Sequence, residues 1–309
     1  MNGRAAVLGA GLRFEEPPPF PEEDGADLRL AAAAAVAGGR AALPFYGSAT
    51  LRSTEKAPGD PVTEADRASN TAILDLLATA APSDRVLSEE SPPPGPTGPV
   101  GRLWVVDPLD GTREFMDGIG EFSVMVGLAR EGRAVLGAVF VPDPGVLYLG
   151  LAEGGAWRAS CRLPAGASKP ASCGPWERLK TATESLGSLR LVRSRSHPDA
   201  LLQELEQRLG ATEVIPSGSV GVKCARIATA AADLYVHPVP YLKEWDTCAP
   251  EALLRGAGGC VSDCAGDSLL YGKPDPSQPS GILAGTEAAW TAALPLVREV
   301  AAPILSGRR

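Results

Sequence analysis

Asp107 and Asp110 are separated by Pro108 and Leu109, followed by Gly111 and Thr112, and preceded by the apolar run Trp104-Val105-Val106. That run, rich in β-branched residues, reads as a buried strand. Both carboxylates therefore stand where the chain leaves a sheet and can turn toward one point. Hard cations such as Mg²⁺ take oxygen ligands and bind through few carboxylates plus substrate phosphates. Pro108 fixes the backbone, the Leu109 carbonyl offers another oxygen, and Gly111 lets a phosphate approach the main chain. A helix opening at Gly111-Thr112 would add free N–H groups beside the metal. Asp, Pro and Gly are also ordinary turn residues, so this stretch by itself reads equally well as an acidic turn.

Other acidic segments change that balance. Asp60-Pro61-Val62-Thr63-Glu64-Ala65-Asp66 and Leu87-Ser88-Glu89-Glu90 lie upstream, and Glu244-Trp245-Asp246-Thr247 lies downstream. The spacing of the four supports a divalent-metal phosphate site and nothing finer. Thr63-x-x-Asp66 has capping-box spacing ahead of the helical pattern Ile73, Leu76, Leu77, which makes Asp66 a first-turn acid. Val86 to Glu90 reads as a short strand ending in an acidic pair, and Asp246 as a helix N-cap.

The elements that position these residues follow from periodicity. A helix is expected over Asp27 to Leu43, weakened by Gly38-Gly39 at roughly 1 kcal/mol per glycine. After the central stretch, Phe122 to Ala129, Val135 to Val141 and Val146 to Leu151 read as an antiparallel meander with tight turns. Cys161 to Ser185 is polar and Gly/Pro-bearing. Beyond it strands and helices alternate: a strand over Leu189 to Arg193, a helix over Asp199 to Leu209, a strand at Thr212, a helix over Val222 to Ala231, a strand over Leu234 to His237, a helix from Asp246, strands at Cys260 and Gly281, and a last helix over Glu287 to Val300. Alternation of this kind implies a layered α/β arrangement. The expected organisation is a flexible leader over 1–25, an N-terminal α+β metal-binding domain over 26–175 and a C-terminal α/β substrate domain over 176–309.

Composition sets limits. The 309 residues carry a formal charge of −8 with no long basic run, which argues against a nucleic-acid polymer as partner. No apolar run approaches the roughly 20 residues that cross a bilayer, and no secretory signal is evident, so the expectation is a cytoplasmic protein. Six cysteines with only two histidines do not make a zinc pattern, and the chain is read as carrying reduced, mostly buried thiols. Neither His197 nor His237 comes with the other parts of a nucleophilic triad.

From about Asp60 onward, the four acidic segments in their order resemble the inositol monophosphatase superfamily of Mg²⁺-dependent, lithium-sensitive phosphatases. The resemblance implies a layered αβαβα sandwich. It implies that Glu89, Asp107, Asp110, Asp246 and the Leu109 carbonyl hold a cluster of about two or three Mg²⁺, with Li⁺ as an inhibitor. It makes Asp66 and Thr112 the catalytic pair that orients the attacking water. Arg113-Glu114-Phe115, Gly120-Glu121-Phe122-Ser123, Ser194-Arg195-Ser196-His197 and Trp245-Asp246-Thr247-Cys248-Ala249-Pro250-Glu251 resemble the bisphosphate nucleotidase branch. In that branch positions matching His197, Ser219 and Lys223 contact the nucleotide or its second phosphate, beside Gly111 and Thr112. The implied reaction is hydrolysis of the 3′-phosphate of 3′-phosphoadenosine 5′-phosphate (PAP). An inositol monophosphate or broad sugar-phosphate phosphatase is the alternative in the same class, and a non-catalytic phosphate-binding scaffold the alternative outside it. The partner expected is a small phosphate ester, and a homodimer is left open.

Overall fold

The computed structural model describes residues 11–48, 51–57, 60–91, 101–164, 169–183, 188–196 and 200–306. The loop expected over Ser91 to Val100 lies, except for Ser91 itself, outside them.

An eight-stranded sheet runs in the order β1 (Leu12–Phe14), β10 (Ala171–Leu179), β9 (Gly155–Arg162), β8 (Val146–Leu151), β7 (Arg133–Val141), β6 (Ser123–Arg130), β5 (Arg102–Asp110), β4 (Arg85–Ser88). Its outermost pairs, β1–β10 and β4–β5, are parallel, and the pairs between them are antiparallel. The meander read from the sequence is the middle of this sheet. A second, five-stranded sheet runs β12 (Glu213–Ser217), β11 (Arg190–Ser194), β13 (Leu234–His237), β15 (Ile282–Thr286), β14 (Gly259–Ser262). A small hairpin pairs β2 (Ser53–Ala57) with β3 (Asp60–Thr63).

Alternate residues of β5 serve different cores. Trp104 and Val106 pack with helices α1 (Glu22–Ala42) and α2 (Glu64–Ala80). Leu103 and Val105 pack with α5 (Val220–Ala228) and α6 (Glu244–Gly256). A strand with period two presents opposite faces in this way, and burial of both explains its unbroken apolar run. Tyr235, Ile282 and Ala284 of the second sheet close the α5–α6 core from the other side. Leu191, Leu234, Val236 and Leu283 pack on α4 (Ala200–Arg208) and α7 (Glu287–Ser306). The layers are thus α1/α2, large sheet, α5/α6, small sheet, α4/α7, the αβαβα sandwich expected.

Helix α6 approaches the large sheet over a glycine track. Gly127, Gly137 and Gly150 are cross-strand partners on β6, β7 and β8. A Cβ at Gly127 would stand 2.7 Å from Cys248 Sγ, and one at Gly137 2.5 Å from the Ala249 carbonyl oxygen. One at Gly150 would collide with the Leu253 backbone. Only glycine permits this approach of helix to strand.

Three expectations are corrected. The stretch expected as a flexible leader carries regular structure in its described part: Leu12 pairs with Ala171 and Phe14 with Cys173, and α1 opens at Glu22. The apolar Leu12 and Phe14 gain a sheet edge to lie on, which a proline-rich stretch does not advertise. The thiols are not all reduced, because Cys161 and Cys173 face each other across β9 and β10 at a Cα separation of 4.1 Å and form a disulfide. Directly opposed residues in an antiparallel pair come close enough for this bond. Cys224, Cys248 and Cys260 are outside any disulfide. Strand β10 also runs across the division expected at residues 175 and 176 and hydrogen-bonds within the large sheet. Among the described residues no helix is long and apolar enough to cross a membrane.

Candidate active site

Residues three apart on a regular strand point to opposite faces. Asp107 and Asp110 do not, because the β5–β6 register shifts between them: Asp107 pairs with Met125 and Asp110 with Ser123. The extra residue is a bulge at Pro108-Leu109 that restores both acids to one face, the face that carries α5 and α6. The bulge is braced locally. Leu109 N–H donates to Asp107 Oδ1 at 3.0 Å, and Ser69 Oγ of α2 donates to the Pro108 carbonyl at 2.7 Å. Gly111 follows with φ +92° and opens the short helix α3 (Thr112–Met116), a backbone state that favours glycine.

Asp66 and Asp246 are delivered by one local device used twice. Each is the third residue of a helix and accepts the N–H of the residue before it. Thr63 N–H donates to Asp66 Oδ2 at 2.8 Å, and Lys243 N–H donates to Asp246 Oδ2 at 2.5 Å. The cap position of α6 is Lys243, three residues before the Asp246 expected there. Capping occupies one oxygen, and in Asp66 the other, Oδ1, lies 3.1 Å from Thr112 Oγ1. Thr112 Oγ1 also stands 3.1 Å from the Leu109 carbonyl oxygen. Its single proton serves one of the two at a time.

Carboxylate oxygens of Asp107, Asp110 and Asp246 lie within 4.8 Å of one another. Glu89, at the end of β4, hydrogen-bonds Asp107 through its side chain. Burial pushes the Asp107 carboxyl well above the ordinary carboxylate range, and the charges of Glu89, Asp110 and Asp246 push it further. Asp246 is raised in the same way, by burial and then by Asp110 and Glu89. Asp110 is raised by burial against the opposing pull of Lys223, the Ser219 hydroxyl and the Gly221 N–H. Burial raises Asp66 against hydrogen bonds from Thr63 and Thr112. Crowded carboxylates with all-oxygen donors match a hard divalent cation, whose charge would reverse these shifts. The residues present fit the metal expected.

Ser219 and Lys223 both lie against Asp110 of this cluster. Ser219 Oγ donates to Asp110 Oδ2 at 2.6 Å, accepts Val222 N–H at 3.2 Å and lies 2.7 Å from Ser123 Oγ. Gly221 N–H also donates to Asp110 Oδ2, at 3.2 Å. Lys223 is 3% exposed. Its ammonium donates to the Gly218 carbonyl, lies 5.2 Å from the Tyr235 ring centroid and offsets the Asp110 charge. Burial lowers the Lys223 pKa, with Asp110 opposing. Enclosed in this way, Lys223 stands as a counter-charge beside Asp110. His197 lies outside the described residues.

Three side chains at the site carried no assigned role in the sequence. Ser123 supports Ser219. Glu114, 4% exposed, accepts the Ser196 hydroxyl. Glu121 accepts Gly218 N–H at 3.0 Å and pairs with Arg195 and Arg226. The only signal for the two glutamates was their place in stretches resembling the nucleotidase branch, since long-range partners leave no local pattern.

The sequence model of the inositol monophosphatase family matches residues 26–301. A 3′(2′),5′-bisphosphate nucleotidase CysQ of Shigella flexneri is 39% identical over 235 residues, covering 75% of this chain and 89% of the relative. An inositol-1-monophosphatase of Rhizobium meliloti is 33% identical over 252 residues, covering 81% and 88%. The crystal structure of CysQ from Bacteroides thetaiotaomicron superposes with a TM-score of 0.68 at 30% identity, covering 84% of this chain and 97% of that one.

Proposed function

This chain belongs to the inositol monophosphatase family, and from that membership we propose that it is a Mg²⁺-dependent phosphatase hydrolysing the 3′-phosphate of PAP to AMP and phosphate. The observation that carries the reading is the gathering of Asp107, Asp110 and Asp246 oxygens within 4.8 Å, beside the hydrogen-bonded pair Thr112–Asp66. Glu89, Asp107, Asp110, Asp246 and the Leu109 carbonyl would hold the metal, which when bound neutralises phosphoryl charge and acidifies a water. Asp66 takes the Thr112 proton in a hydrogen bond, leaving the Thr112 oxygen to accept from the attacking water and aim it in line. Gly111 gives the phosphate access to the backbone. Ser219 and Lys223 hold Asp110 in position and share its charge. No covalent phosphoenzyme is required.

The higher identity to a bisphosphate nucleotidase than to an inositol-1-monophosphatase supports PAP over inositol phosphates. The inositol or sugar-phosphate reading keeps the support of the second relative. The intact acidic set speaks against a non-catalytic scaffold. Phosphate release measured side by side on PAP, its sulfated precursor, inositol 1-phosphate and fructose 1,6-bisphosphate tests the assignment. Mg²⁺-dependent release fastest from PAP, abolished by EDTA and inhibited by Li⁺ at concentrations where Na⁺ has no effect, is the expected outcome. No release from any of them would sink the phosphatase reading, and preference for inositol 1-phosphate would sink the nucleotidase one.

A further inference from the structure

Glu89, Asp107 and Asp110 stand at strand ends, whereas Asp246 is carried by the first turn of α6. It faces the like charges of Asp110 and Glu89, and their repulsion pushes the head of α6 away from the sheet whenever no cation is bound. We propose that Glu244 is the positioning residue that resists this push, by pinning the head of α6 to the connection over residues 263–281; the inference rests on the metal-site reading above.

That connection joins β14 to β15. Irregular connections beyond about 12–15 residues are uncommon and usually functional, and this one is longer. Glu244 is fully enclosed against it. Both carboxylate oxygens are taken by successive main-chain donors: Oε2 accepts Gly272 N–H at 2.6 Å, and Oε1 accepts Lys273 N–H at 3.0 Å. Gly272 has φ +83°, a left-handed state that lets neighbouring N–H groups converge on one anion.

Around this pin the two segments cross-bond. Glu244 N–H donates to the Pro276 carbonyl at 2.8 Å, and Gln278 N–H to the Leu242 carbonyl at 2.8 Å. Lys243 Nζ donates to Ser277 Oγ at 2.8 Å, and Lys273 Nζ to Gln278 Oε1 at 2.9 Å. Lys243 N–H is the donor that caps Asp246, so the residues fixed on the connection are those that hold the acid. Tyr271, next to the pin, fastens the connection at two further points. Its hydroxyl donates to Glu251 Oε2 at 2.6 Å, and its N–H to the Gly132 carbonyl, between β6 and β7, at 3.1 Å. Asp246 is thereby braced through Glu244 against the large sheet.

The arrangement demands a carboxylate. Glutamine has the same shape, but one of its two terminal atoms is an amide nitrogen that would face an N–H donor. A buried N–H left without an acceptor loosens one side of the pin. In metal-free protein Asp246 then relaxes away from its neighbours, and a cation must draw it back at the expense of affinity. Once the cation is bound its attraction restores the site, and turnover at saturating metal is spared.

The test uses the full-length protein. Mn²⁺, which takes the same oxygen ligands, is titrated without substrate, and the free ion is followed by electron paramagnetic resonance. In Glu244→Gln its dissociation constant should rise about tenfold, the loss of one hydrogen bond. The Mg²⁺ concentration giving half-maximal phosphate release should rise by a similar factor, while kcat at saturating Mg²⁺ falls less than about twofold. Gly272→Ala, which strains the turn from the side of the connection, should show the same split and carries the test should Glu244→Gln fail to fold. Arg102→Ala, altered at the far end of β5, should bind Mn²⁺ as the parent does. A folded Glu244→Gln protein with a lower melting temperature and unchanged Mn²⁺ affinity overturns the inference, because the residue then serves the fold alone. A kcat lost equally at every Mg²⁺ concentration overturns it too. A parent protein that binds no Mn²⁺ overturns the metal-site reading as well.

Discussion

At its first residue β5 carries Arg102, and toward its last it carries Asp107 and Asp110; the two ends are treated in opposite ways. Arg102 donates to Asp27 through Nη1 at 2.9 Å and to Asp84 through Nε at 2.9 Å, and Trp104 Nε1 adds a bond to Asp84 at 3.0 Å. Arg130 joins them, pairing with Asp24 at 2.7 Å and Asp27 at 3.0 Å. Every charge there has a partner of opposite sign. At the other end Asp107, Asp110, Asp246 and Glu89 crowd together, and Lys223 is the buried cation that opposes them. Buried like charges raise the free energy of the folded chain unless a cation arrives. One strand thus displays both uses of buried charge. Compensated charge ties α1 to the sheet, and uncompensated charge keeps a place for a metal.

The largest effect expected from breaking this contrast is catalytic. Asp110→Asn keeps size and shape but removes one charge, and phosphate release should fall by at least about two orders of magnitude, the scale of losing one electrostatic contributor. The circular dichroism spectrum should not change. Near-normal Mg²⁺-dependent turnover would mean the acidic end needs no charge.

At the compensated end the effect should fall on stability. Arg102→Ala leaves Asp27 and Asp84 short of partners and should cost about 2–3 kcal/mol in urea unfolding, with the folded fraction turning over normally. An equal loss of kcat in fully folded protein would erase the distinction between the ends.

A smaller effect, of opposite sign, is expected from Asp107→Asn in metal-free protein. The folded-state pKa of Asp107 lies above its ordinary value of 3.8. Above that pH the native state therefore binds more protons than the unfolded chain, and this group's contribution to stability declines as pH rises toward the folded-state value. With EDTA near pH 8, the variant should melt higher than the parent by a few degrees, at about 2–4 °C per kcal/mol, and the gap should shrink toward pH 5. Mg²⁺ should reverse the order, because binding to the folded form alone stabilises it. A gap that ignores both pH and metal would show that the carboxylates do not repel.

The smallest effect calibrates the rest. Arg158 and Glu177 pair at 2.7 Å with side chains 40% and 60% exposed. Arg158→Ala should shift stability by less than about 1 kcal/mol, and a larger change would remove burial as the reason the two ends of β5 matter.

Much of this was legible in the sequence where the signal is local. The apolar run of β5 and the alternating second half announce themselves by period, and Asp66 by its spacing from Thr63. Capping acids and the acids of the proposed site coincide here because one carboxylate has two oxygens. What was not legible depends on partners distant in the chain. Nothing near Cys161 states that it will face Cys173, since that follows from the register of β9 on β10. The Leu12 strand exists because β10 offers an edge. Resemblance makes Lys223 a substrate contact, and only the packing of α5 shows it enclosed beside Tyr235. Glu114 and Glu121 drew attention through resemblance, but their partners sit in the other half of the chain.

The glycine track has a consequence for how the site comes into being. Asp107 and Asp110 are set by a bulge that forms when β5 meets β6, a contact close in sequence, whereas Asp246 arrives only when α6 settles onto Gly127, Gly137 and Gly150. That docking joins segments far apart in the chain and carries a larger closure entropy than the sheet beneath it. A nascent chain still short of α6 can form the large sheet and bring together three of the four acids proposed to hold the metal, and lacks Asp246. During refolding the far-ultraviolet signal of the strands should return before phosphatase activity does, and a methyl group added at Gly137 should lengthen that interval, because the helix must find a seat that is no longer flat.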